Sequence, residues 1–224
     1  DRKKIAITGN PVRPAIAALA SSAYPTPSHN GPLNLLIIGG SQGAQLFADV
    51  VPAAIALLPP QICDRLDITQ HCRPEDLDRV RESYAAGGIH ASCSTFFEDI
   101  AARLKKAHLV ICRAGASTVS ELAASGRPAI LVPLAHATDD HQTANAASLQ
   151  AAGGAIILGE SEAKPARLAE CLNGFLASPK VLARAALAAH GVGRPDAGRA
   201  LADLIEALAP VNGDPPNMMR RQAA

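Results

Sequence analysis

Glu121 closes the run Gly115-Ala-Ser-Thr-Val-Ser-Glu121, which follows directly on the apolar triplet Leu109, Val110 and Ile111 and the short link Cys112-Arg-Ala114. The order predicts a buried strand, a tight turn at Gly115, and a helix whose start is marked by Ser117, Thr118 and Glu121. A helix that begins at the carboxyl end of a strand points free N–H groups and the positive end of its dipole into the crevice there. Phosphate suits that position. The same spacing, Thr118-x-x-Glu121, also reads as a capping box that does nothing beyond satisfying the helix start, and on spacing alone the cap is favoured. A second unit of this kind stands earlier in the chain. The β-rich run from Leu33 to Ile38 leads into Gly39-Gly-Ser-Gln-Gly43 and then a helical pattern from Ala44 to Leu58. A dinucleotide fingerprint would need G-x-G-x-x-G and an acidic residue at the end of the next strand, whereas that strand, Leu66 to Thr69, runs into Gln70 and His71. The lysine of a P-loop is absent too, so this loop has only backbone N–H groups to offer a phosphate.

The rest of the chain supplies elements to hold these loops. Lys4 to Thr8 reads as a short strand, and Ser21 to Gly31, rich in Ser, Pro, His and Asn, as a linker, so the compact domain starts near Pro32. Pro74 to Ala86 is expected as an exposed helix that ends at Gly87-Gly88. Asp76 and Asp78, two apart on it, face different ways and read as solvated charge rather than a metal pair. Further strands are expected at Ala91 to Phe96, Ala129 to Val132 and Ala155 to Leu158. Helices are expected from Phe97 to Lys106, up to Ala152, and over most of the remainder to Leu208, with breaks at Ser178-Pro179 and around Gly191 to Pro195. This alternation predicts an α/β fold with an open, mostly parallel sheet and helices on both faces. Ligands in such sheets bind outside the carboxyl ends of the strands. Polar loops that end strands there are Ser41 to Gly43, the one at Phe97, Gly115 to Glu121, and His136 to Gln142.

Composition narrows the function. With 48% hydrophobic and 18% charged residues in 224, the chain can bury one large core or two small ones. A net charge of +1, two Tyr, four Phe and no Trp argue against nucleic acid as a partner. Cys63, Cys72, Cys93, Cys112 and Cys171 are odd in number and contain no C-x-x-C pair. They are expected to be reduced and mostly buried, with neither a disulfide framework nor a zinc site. No apolar run approaches the length of about 18 residues that a spanning helix needs.

Four motifs in order, Thr8-Gly-Asn-Pro-Val-Arg13, Gly39-Gly-Ser-Gln-Gly-Ala44, Arg113-Ala-Gly-Ala-Ser-Thr-Val-Ser-Glu121 and Asp139-Asp-His-Gln-Thr-Ala-Asn145, resemble the carboxyl-terminal half of the MurG glycosyltransferases. The resemblance runs to about Ala209. It implies one Rossmann-like half of a two-domain GT-B enzyme that transfers N-acetylglucosamine from UDP-N-acetylglucosamine to undecaprenyl-pyrophosphoryl-N-acetylmuramyl-pentapeptide in peptidoglycan synthesis. Residues 1–31 would then be an interdomain strand and linker, 32–209 the donor-binding domain and 210–224 a flexible tail. The amino-terminal acceptor domain, with its catalytic and membrane-facing residues, would be absent. The full-length enzyme would be cytoplasmic and peripheral on the inner membrane, reaching lipid acceptor and membrane through that domain. No cofactor and no metal are implied, the leaving UDP being stabilised by a helix dipole.

By position in these motifs, Glu121 would hold the ribose hydroxyls, for which its two acceptor oxygens are apt. Phe97 would present its backbone to the uracil. Ser41 with the backbone of Gln42 and Gly43, and Ala116, Ser117 and Thr118, would face the diphosphate or the linked sugar, with Arg13 as the added cation. Gln142 and Asn145 would read sugar hydroxyls, and His141 stands where some members carry another glutamine. The catalytic base would lie in the absent half, not at His136 or His141. Two other readings remain open: a sugar-nucleotide epimerase, which would need carboxylates among Glu98, Asp99, Glu121, Asp139 and Asp140, and a non-catalytic nucleotide-sugar binding module.

Overall fold

A computed structural model describes residues 5–40, 44–135 and 140–209. The expected first strand is not there. Ile5 and Ile7 are 69% and 76% exposed, no strand among the described residues pairs with them, and the Ile7 carbonyl instead accepts a hydrogen bond from Arg194 Nη1 at 2.9 Å. A lone extended segment has no ladder to satisfy its backbone, so local β propensity is not enough. Lys4 and the tail from Pro210 to Ala224 lie outside the described residues.

Chain order runs from a short helix, α1 (Pro14–Ala17), through the linker to β1 (Leu33–Ile38), α2 (Gln45–Ile55), α3 (Pro60–Cys63) and β2 (Leu66–His71). Then come α4 (Leu77–Ala86), β3 (His90–Ser94), α5 (Ile100–Lys106), β4 (Leu109–Cys112) and α6 (Ala116–Ser125). The last elements are β5 (Ala129–Leu131), α7 (His141–Ala152), β6 (Ala155–Ile157), α8 (Pro165–Leu176), α9 (Pro179–Gly191) and α10 (Ala197–Leu208). The six strands form one parallel sheet in the order β3-β2-β1-β4-β5-β6. The chain therefore builds outward on one side of β1, then returns to its other side at β4. Loops leaving β1 and β4 diverge at that reversal and open a crevice at the strands' carboxyl ends.

Alternate side chains explain why both faces need helices. Leu35, Ile37, Leu109 and Ile111 enter one core with residues of α2, α4 and α8, while Leu36, Val110 and Cys112 enter the other with α1, α6, α7 and α9. All four residues of β4 are buried, which places the strand that feeds the glycine loop at the rigid centre of the molecule. The helix after β3 starts at Ile100 rather than Phe97, and β3 stops at Ser94, so Thr95 to Asp99 form a longer loop than the periodicity suggested. Among the described residues no helix is long and apolar enough to cross a membrane. Cys72, Cys93, Cys112 and Cys171 are buried, Cys63 is half-buried, and all five are free thiols.

Asp76 corrects the solvated-charge reading of its pair with Asp78. Asp78 is exposed, but the Asp76 side chain is only 6% exposed, bonded by Arg73 Nε at 2.6 Å and by Arg79 Nη2 at 2.9 Å. Arg79 also reaches Asp49 on α2 at 2.6 Å, so the group ties the start of α4 to that helix. The hydrogen bond from Arg73 above all, and then that from Arg79, hold the Asp76 carboxyl below its ordinary value. Asp76→Asn should therefore cost about 1.5–3 kcal/mol in urea unfolding at neutral pH, the range for hydrogen bonds to a charged group. The wild-type advantage is complete above the unfolded carboxyl's value of about 4 and is lost as pH falls through the lower folded value. The two proteins should converge in strong acid, and a gap that persists there would show that charge is not its cause.

Candidate functional site

At the carboxyl ends of β1, β2 and β4 lies a cleft of about 700 Å³ whose wall includes Arg13, Gly40, His71, Phe96, Phe97 and Thr118. Gly40 turns the chain out of β1 at a φ of 83°, in the left-handed region open to glycine. Gly115 works differently from the tight turn expected of it. Its backbone is extended, with φ −62° and ψ 144°, and a Cβ placed there would meet only Thr118 Oγ1 at 3.8 Å. It is the N-cap of α6, so the expected Thr118–Glu121 capping box is absent. No side chain caps this helix, and its first bond runs from Val119 N to Gly115 O at 3.0 Å. The N–H groups of Ala116, Ser117 and Thr118 are left without an intrahelical acceptor, a ready anion site.

Glu121, freed from capping, faces the chain's amino-terminal segment. Arg13 Nε meets Glu121 Oε1 at 2.7 Å and Arg13 Nη2 meets Oε2 at 2.8 Å, a bidentate pair joining residues 108 apart. The Glu121 side chain is 12% exposed and that of Arg13 57%. The hydrogen bond to Glu121 raises the Arg13 guanidinium above its ordinary value, leaving it a fixed cation at the cleft mouth. A carboxylate offers about four lone-pair sites, so one gripped through two of them can still accept bonds from ligand hydroxyls.

Gln142 and Asn145, on the first turns of α7, grip the same loop from behind. Gln142 Oε1 accepts from the N–H of Ala114 and of Leu134, each at 3.1 Å, and Asn145 Nδ2 donates to Ala114 O at 3.1 Å. The carbonyl end of Gln142 and the amino end of Asn145 are thus structural. Asn145 also lines, with Ala116, Ser120 and Arg194, a hollow of about 220 Å³ on the far side of α6 from the main cleft. Ser41, Gln42, Gly43 and His136 lie outside the described residues. Arg13, Phe97 and Thr118 share the main cleft, Glu121 is joined to it through Arg13, and Ala116 faces the smaller hollow.

Several residues near the site were not assigned from sequence. Arg113, the first charge after an all-apolar strand, reaches the carbonyls of Val132 and Pro133 at 3.3 Å each and pairs with Glu160 Oε1 at 2.9 Å. Glu160 Oε2 in turn accepts from Ala135 N at 2.7 Å, bracing the loop after β5. Phe96, 70% exposed, stands on the cleft wall. A large exposed aromatic beside two glycine loops is the signal that could have found it. Chemically, this collection of N–H groups, the Arg13 cation and the Glu98 and Glu121 carboxylates suits an anionic ligand bearing hydroxyls. Cys112 adds no nucleophile, since complete burial pushes its thiol up to about 12.

A family model described as the glycosyltransferase family 28 C-terminal domain matches residues 34–203. The chain belongs to this family. It is 56% identical over 200 residues to the UDP-N-acetylglucosamine–N-acetylmuramyl-(pentapeptide) pyrophosphoryl-undecaprenol N-acetylglucosamine transferase of Granulibacter bethesdensis, a match covering 89% of this chain and 52% of that protein. The enzyme of the same name from Rhodospirillum rubrum is 54% identical over 203 residues, covering 91% and 52%. The crystal structure of Acinetobacter baumannii MurG matches with a TM-score of 0.72 at 35% identity, over 78% of this chain and 52% of that one. The chain spans about half the length of the curated relatives it matches. Family membership agrees with the open parallel sheet and its crevice.

Proposed function

We propose that this chain is the donor-binding half of a glycosyltransferase that moves N-acetylglucosamine from UDP-N-acetylglucosamine to a pyrophosphoryl-undecaprenol-linked N-acetylmuramyl-pentapeptide, a step of peptidoglycan synthesis. The observation that carries the reading is the Arg13–Glu121 pair at the mouth of a cleft beside an uncapped helix start. Relatives named for this transfer, at 54% and 56% identity, support it.

In this reading the uracil lies against the Phe97 backbone and the ribose hydroxyls meet Glu121. The diphosphate meets the N–H groups of Ala116 to Thr118, together with Arg13 and the Ser41 to Gly43 loop. The sugar extends toward α7, where Gln142 Nε2 and Asn145 Oδ1 are the ends that do not hold the Ala114 loop. As UDP departs, its charge grows where the α6 dipole and the Arg13 cation already point. Residues 32–209 act as the donor domain and 1–31 as the connection to an acceptor-binding half, which carries the catalytic base and the contact with the cytoplasmic face of the membrane.

Glu121, on α6, is joined to the cleft through Arg13, and no acidic residue stands at the end of β2, where a dinucleotide ribose would be held. UDP and UDP-N-acetylglucosamine should therefore bind at least about tenfold more tightly than ADP or NAD in titration calorimetry, a difference of about 1.4 kcal/mol. Equal affinity for ADP would overturn the site assignment.

A further inference from the structure

The loop from Thr95 to Phe97 is held by His71, Ser94 and Arg103, and His71 reaches it from the end of β2. Its Nε2 lies 2.9 Å from the Thr95 carbonyl, and a carbonyl can only accept, so Nε2 carries the proton. The other ring nitrogen, Nδ1, is buried with no hydrogen-bond partner. Ser94 Oγ donates to Phe96 O at 2.8 Å and lies 3.3 Å from Phe96 N. The Phe97 ring packs under the Arg103 guanidinium at 4.0 Å and against the His71 ring at 6.5 Å. Phe97 is then the loop residue whose backbone neither His71 nor Ser94 takes up.

We propose that His71 is a positioning residue that sets base discrimination in the cleft, by withdrawing the Thr95 carbonyl and leaving the Phe97 backbone as the edge a base meets. This rests on the nucleotide-sugar reading above. The chemistry gives it a direction. A uracil edge carries one N–H between two carbonyl oxygens, whereas cytosine and adenine each carry an exocyclic amino group. A Thr95 carbonyl released into the cleft is an added acceptor, and it favours bases with that amino group.

The test uses the 224-residue chain with UDP, CDP and ADP in titration calorimetry, comparing wild type with His71→Phe, which keeps a ring and loses the donor, and His71→Gln, which keeps an N–H donor of similar reach. His71→Phe should narrow the preference for UDP over CDP and ADP by roughly three- to tenfold, the worth of one hydrogen bond, and His71→Gln should restore most of it. A fall in affinity by the same factor for all three nucleotides in both variants would mean a merely structural role and would overturn the proposal. A selective wild type with an equally selective His71→Phe would overturn it while leaving the nucleotide-sugar reading intact, and an indifferent wild type would remove that reading instead. Independently of any nucleotide, long-range proton–nitrogen spectra of the ligand-free chain should show His71 protonated at Nε2 and bare at Nδ1. The opposite tautomer would sink the proposal.

Discussion

Glu121→Gln is expected to weaken UDP binding by about 1.5–3 kcal/mol, roughly ten- to hundredfold, while changing folding stability by less than about 1 kcal/mol. The separation between the two effects follows from where Glu121 stands. It lies in the second turn of α6 and caps nothing, and its own carbonyl accepts from Ser125 Oγ at 2.7 Å whatever its side chain. What the substitution removes is charge and one acceptor oxygen. Its partner Arg13 is more than half exposed, so water can replace the lost contact in the folded protein. A bound ribose has no such substitute if its hydroxyls point into the cleft wall. An Arg13→Gln, Glu121→Gln double-mutant cycle should show coupling in UDP affinity, because one carboxylate serves both cation and ligand. Lower melting temperature with unchanged affinity would reduce the pair to a brace between the amino-terminal segment and α6.

Local pattern carried the elements and long-range pairing carried the site. The strands at β1 and β4, each followed by a glycine loop and a helix, were legible because apolar runs and helix periods are properties of neighbours in sequence. Asp76 shows where that stops. Its spacing from Asp78 is that of surface charge, but Arg73, Arg79 and, through Arg79, Asp49 gather around it only once α2 and α4 pack. The reverse happened at Lys4 to Thr8, where good strand composition met no partner strand. In the site, the motif pointed to Glu121 and Arg13 separately, and nothing local to either predicts that they grip each other. Gln142 likewise belongs to a polar helix start by pattern, while its oxygen bridges Ala114 and Leu134, which come from different loops. Fold class could therefore be read from period, and the wiring of the site could not.

The largest effect expected is an absence of turnover. The 224 residues alone should bind UDP-N-acetylglucosamine and transfer no detectable sugar to the lipid-linked acceptor. Glycosyl transfer needs a base at the acceptor hydroxyl and a cleft closed against water, and a positioned base is worth about 10²–10⁴ in rate. The cleft described here has one wall. Glu121 is committed to Arg13, Glu98 lines the wall with no second wall to hold an acceptor against it, and Cys112, at the end of β4, is buried and pushed up to about 12. The relatives named for the reaction are about twice as long as this chain's match to them, and the matched family domain is described as C-terminal. In the reading proposed above, the remaining wall and the base belong to an amino-terminal half. Joining such a half ahead of Asp1 should raise transfer of labelled N-acetylglucosamine by at least about 10² over the 224 residues alone, while UDP affinity changes little. Robust transfer by the 224 residues would place the base among them, and would require a search for it in the loops at the carboxyl ends of the strands.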